Sequence, residues 1–162
     1  LLPLPAAAAR EISWLDLVPP DWKPQERIER KKAEAGSLKD EDERAQTLMR
    51  ELREILDTAP TVGRFDGTEV RLPGYVVPLQ VVDGGLVEFL LVPYYGACIH
   101  VPPPPANQIV HIISPRPVKG FGTMSAVWVS GRFRSARQTT DSGVSGYAMQ
   151  LADIRPYGPP ER

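Results

Sequence analysis

Cys98 and His100, both able to ligate a transition metal, stand two positions apart in the run Gly96-Ala97-Cys98-Ile99-His100-Val101, which leads directly into Pro102, Pro103, Pro104 and Pro105. On an extended strand alternate side chains leave on opposite faces, so Cys98 and His100 would share one face and Ala97, Ile99 and Val101 the other. The apolar trio would then anchor a core while thiolate and imidazole face a common pocket. Zinc takes thiolate, imidazole and carboxylate ligands, and copper accepts the same set. His111, in the next expected strand beyond the prolines, is the third candidate ligand, although its apolar neighbours Ile109 and Ile113 read equally well as a core histidine's surroundings. Glu88 and Asp141 are the carboxylates to consider for a fourth position.

What a lone cysteine can do depends on its compartment. Residues 1–9 are apolar and end in alanines at both positions of an A-x-A pattern, as the tail of a secretory signal does. The expected product is a soluble periplasmic or extracellular chain of about 150 residues. No later run approaches the roughly 20 apolar residues that span a bilayer, so no transmembrane segment is expected. With a single cysteine there is no internal disulfide, which leaves an inert buried thiol, a metal thiolate, a redox-active thiol or a bond to another molecule.

Other chemistries find little support. The 19 basic and 20 acidic residues nearly cancel, so no overall field draws the chain to nucleic acid. The chain has no G-x-S-x-G elbow, phosphate-binding glycine loop or H-E-x-x-H helix, and no enzymatic activity is expected. Arg132, Arg134 and Arg137 gather near Trp128 and Phe133; this is either a solvated basic edge or the kind of surface on which barrels bind glycans and oligonucleotides.

The elements that must position these groups fall into two regions that change at Pro60. Residues 10–59 are charged and helix-compatible, and residues 60–157 are rich in Val, Gly, Pro and aromatics. Residues 12–22 form an aromatic approach whose tryptophans, Trp14 and Trp22, are expected to cover a sheet edge. A helix over 24–35 would be closed by Gly36. A second begins at Asp40, with Glu43 reaching back as in a capping box, and Ala45, Leu48, Met49, Leu52, Ile55 and Leu56 form one stripe expected to pack on the domain. Strands follow at 68–79, with a bulge or bend at Pro73-Gly74, then at 86–92, 108–114, 125–135 with a bend at Gly131, and 146–154. Asp83-Gly84-Gly85 supplies a hairpin turn. The 18 prolines, most of them outside the helical region, argue against a helical bundle. The fold class expected is mainly β with N-terminal helices (α+β), built around a small antiparallel OB-like β-barrel of about five strands.

Pro102 to Pro105 should adopt a polyproline II conformation, serving as a stiff crossover or as a rigid ridge. Asn107 and Gln108 could bond its carbonyls or orient a metal ligand. Together with Trp14, Trp22, Tyr94 and Tyr95, the prolines and this polar pair make up the candidate partner-binding set.

Three stretches carry a resemblance. They are Gly74-Tyr75-Val76-Val77-Pro78-Leu79, the long run from Phe89 through Pro105 to Asn107-Gln108, and Val127-Trp128-Val129-Ser130-Gly131 with Gly146-Tyr147. With Trp14-Leu15-Asp16-Leu17-Val18-Pro19, they resemble domain-of-unknown-function family 3299. The resemblance implies an exported bacterial protein with no established catalytic residues, often encoded near ABC-type export systems and sometimes in zinc-responsive clusters. Cys98 and His100 fall within its motif; His111 does not. The expectation is a periplasmic, non-enzymatic accessory protein that binds zinc through Cys98 and His100 and serves an envelope transporter or assembly factor. The alternative is a metal-free interaction module using the proline ridge and aromatic residues. A thiol redox protein is a third reading.

Overall fold

The computed structural model of the protein describes residues 8–37, 39 and 42–158. Most of the leader-like run, residues 1–7, and the expected cap Asp40 lie outside the described residues.

The order begins with a short strand β1 (Arg10–Glu11), then helices α1 (Gln25–Ala35) and α2 (Glu43–Asp57). Five barrel strands follow: β2 (Thr68–Val82), β3 (Gly85–Val92), β4 (Val110–Val118), β5 (Ala126–Thr140) and β6 (Gly143–Pro156). They pair in the order β2-β3-β4-β6-β5, and β5 returns to β2, which closes the barrel. One pairing departs from the all-antiparallel expectation, because β4 and β6 run parallel from Val110 opposite Tyr147 to Ile113 opposite Gln150. The β5–β6 hairpin is inserted with β6 next to β4, and strands separated by a full hairpin arrive pointing the same way.

β2 shows how one strand serves two neighbours. Its first half pairs with β5, its second half with β3, and Tyr75 faces both Ala126 and Val92. At the hand-over Gly74 leaves no room for a side chain, since a Cβ there would lie 2.7 Å from Leu91 Cγ and 2.8 Å from the Val92 carbonyl oxygen. Of the bulge or bend expected at Pro73-Gly74, no bulge forms, because both keep register with Trp128 and Val127; β2 changes partner there, and its register shifts fall between Pro78 and Val81. The Asp83-Gly84 turn does form, with φ of 51° and 76°, the left-handed pair a two-residue hairpin demands.

Inward residues fill the barrel: Val70, Leu72, Phe89, Leu91, Val110, Ile112, Val129, Phe133, Tyr147 and Met149, joined by Ile12, Leu17 and Phe65 from outside the strands. Fully burying each large apolar side chain contributes about 1.5–3 kcal/mol. A second cluster of Val77, Leu90, Val92, Ala97, Ile109 and Met124 forms where loops fold back over the sheet. That explains the apolar run Phe89–Val92 that ends β3, whose successive residues Leu90 and Leu91 enter different cores.

The approach segment belongs to the barrel and not to a separate helical region. β1 adds in parallel to β2, and the Trp14 indole N–H donates to the Pro73 carbonyl at 2.7 Å. Gly36, at φ 65°, closes α1 as expected, whereas the cap of α2 is Asp42, whose carboxylate accepts from the Arg44 amide at 3.0 Å. The stripe on α2 packs less than expected: Ile55 is buried but Met49 is 63% exposed. The helix meets the barrel through its last turns. Arg53 donates to the Pro103 and Pro104 carbonyls at 2.7 and 3.2 Å, and Arg137 of β5 donates to the carbonyls of Asp57 and Ala59.

Candidate functional site

Residues 93–101 form a tight turn and not the expected strand. The amides of Ile99, His100 and Val101 all donate to the Gly96 carbonyl at 3.2, 2.9 and 3.2 Å. Gly96 sits at φ 87° and Cys98 at φ 67°, so the two-residue alternation of a strand does not apply. The Gly96 amide donates to Met124 Sδ at 3.0 Å and ties the turn to the second core. Ala97 is buried and Cys98 half-buried against that core, whereas Ile99, His100 and Val101 face outward. The separation of a ligand face from an apolar face is therefore corrected. Met124 is a residue that sequence reasoning missed, since nothing in its surroundings announces its left-handed φ of 62°.

Burial pushes the Cys98 thiol up to about 11, against the opposing charge of Arg53. A redox-active thiol needs a shift in the other direction, since the thiolate is the nucleophile. The same burial, with Cys98 nearby, raises the Tyr94 phenol.

His111 joins neither Cys98 nor His100. It stands on β4 between Leu90 of β3 and Ala148 of β6, almost fully buried, and its Nε2 meets Glu88 Oε1 at 2.6 Å. Two of the candidate ligands thus pair with each other away from the cysteine. Among the described residues no three His, Cys, Asp or Glu side chains gather as a metal-holding group, so the set Cys98, His100 and His111 is not brought together.

The partner-binding set also divides. Pro104 is buried, and Pro103 and Pro105 are half-buried beneath the Arg53 clamp, so the prolines act as a crossover and only Pro102 is exposed. Asn107 is fully buried and donates to the Pro60 carbonyl at 3.0 Å. Gln108 donates to the Trp14 carbonyl at 2.9 Å, so this pair holds Pro60 and the approach segment and not the carbonyls of Pro102 to Pro105. Trp14 and Trp22 are half-buried. Of the set, Tyr94 at 44% and Tyr95 at 67% exposure remain displayed with Pro102, and Ile99 at 41% and Val101 at 45% join the two tyrosines on the same turn. Tyr95 also meets Tyr75 edge to face, with ring centroids 5.9 Å apart.

Strand order, closure and the parallel β4–β6 pair define a small closed five-stranded barrel of the OB type, preceded by two helices and bearing one apolar, aromatic turn. A model of the family described as protein of unknown function (DUF3299) matches residues 14–156, and the chain belongs to that family. It is similar to the crystal structure of a DUF3299 family protein from Pseudomonas aeruginosa PAO1, with 35% identity and a TM-score of 0.72 over 95% of this chain and 99% of that one. No curated protein matches the chain. Among the described residues no helix is long and apolar enough to cross a membrane.

Proposed function

We propose that this chain is a non-enzymatic interaction module of an exported envelope system, and that the turn of residues 93–101 is its docking surface. One observation carries the reading: four large apolar or aromatic side chains stand exposed on a single turn that three amides and a buried thioether hold in shape. Preorganisation of this kind lowers the ordering cost of association, and tyrosine is favoured at binding hot spots. The envelope location rests on the leader-like residues 1–9, and a transporter or assembly factor is the partner proposed.

A zinc-dependent form of the same reading has its own support, because Cys98 and His100 remain on one six-residue turn, from Gly96 to Val101. A partner would then supply the remaining ligands, and the ion would bridge the two proteins.

One experiment separates the readings. A photo-crosslinking amino acid replaces Tyr95 in the producing bacterium, with and without a chelator, and a second sample carries it at Gln80 as a control. The metal-free module predicts one discrete adduct from position 95 that survives chelation and is lost when Ile99→Ser and Val101→Ser are added. An adduct lost on chelation, restored by zinc and absent from the Cys98→Ala, His100→Ala variant supports the zinc bridge. Equal labelling from positions 95 and 80 overturns both.

A further inference from the structure

The barrel wall made by β4, β6 and β5 carries a groove that the docking turn does not use. Its volume is about 440 Å³, within the range of small-molecule sites. Strand alternation and register build it. Arg132, Arg134, Ala136 and Gln138 are alternate residues of β5, Ala148 and Gln150 of β6, and His111 and Ile113 of β4. Gln150 lies opposite both Arg132 and Ile113, and Ala148 lies opposite both Arg134 and His111. The small Ala148 leaves the middle of the wall low, with arginines on one side and Ile113 and His111 on the other.

The charges in this groove are unbalanced. Among the described residues no carboxylate lies within ion-pair distance of Arg132 or Arg134. Glu69 is opposite Arg132 on β2 yet makes no ion pair with it, and Glu88 is engaged by His111. The groove is also not purely polar, since Ile113 is 53% exposed on its far side. Alternate residues on a strand place the two guanidinium stems roughly 6–7 Å apart. Paired planar forks at that spacing suit the oxygens of a phosphate or carboxylate.

We propose that this groove is a binding site for a small organic anion, with a phosphate or carboxylate held by Arg132 and Arg134 and an apolar body lying over Ala148 toward Ile113. Gln138 and Gln150 supply neutral donors at its rim. The site is independent of the docking turn, and either assignment can fail without the other.

The test uses phenyl phosphate as probe, with inorganic phosphate and phenol as its two halves, followed by NMR of the full chain at fixed salt. The expected result is phenyl phosphate binding at least tenfold tighter than either half, with amide shifts concentrated at residues 111–113, 132–134 and 148–150. Arg132→Gln with Arg134→Gln should weaken it at least tenfold. Ala148→Leu, which fills the floor and keeps both charges, should block it as well. Arg116→Gln, an exposed arginine elsewhere on the barrel, should leave it unchanged. Equal affinity in the wild type and both groove variants, loss matched by the Arg116 variant, or shifts scattered over the surface would each overturn the proposal.

Discussion

The half-buried setting of Cys98 governs how fast its sulfur reacts. Burial disfavours the thiolate and moves the group from 9.0 to about 11, so the fold favours the protonated form. That contribution to stability is complete below the unfolded value and is lost as pH rises through the folded one. At pH 8 the native thiolate fraction is roughly 100-fold below that of the unfolded chain. Iodoacetamide should therefore modify the native protein about 100-fold more slowly than the protein in denaturant; equal rates would place the sulfur in open solvent.

Elements fail or hold at the points where backbones come closest. Gly131 stands at a register shift between β5 and β6, and a Cβ there would lie 2.1 Å from the Gln150 carbonyl oxygen, a group that cannot swing away. Gly131→Ala should cost about 3 kcal/mol or more in urea unfolding, while Gly122→Ala, with nothing near its Cβ, should stay within about 0.5 kcal/mol. The bend at Gly131 was legible because glycine inside an apolar strand signals close approach. The Asp83-Gly84 turn, the closure of α1 by Gly36 and the five-strand count were legible for similar local reasons. The turn at 93–101 was not, because its shape depends on a left-handed cysteine and on Met124, both non-glycine residues at positive φ. Nor did local spacing reveal that His111 would meet Glu88, since that contact depends on the register of β3 against β4. Nor did the proline run announce its cover, which comes from Arg53 on a distant helix.

At the scale of the molecule, Tyr147 joins parts that are far apart in sequence. Its hydroxyl donates to the Leu17 carbonyl at 2.6 Å and accepts from the Val62 amide at 2.8 Å, while its ring stacks on Phe133 at 5.1 Å between centroids. Tyr147→Phe keeps the stack and leaves both backbone groups without this partner, so it should lower stability by about 2–4 kcal/mol in denaturant titration. A loss below about 0.5 kcal/mol would show that water replaces the hydroxyl at no cost. The bond to Leu17 spans 130 positions. The approach segment is already paired to β2 through β1, so what β6 adds is the capture of the Leu17 carbonyl across the barrel. Loosening that one bond should therefore let residues 12–22 open locally while β1 stays paired, and limited proteolysis within that segment would report the change.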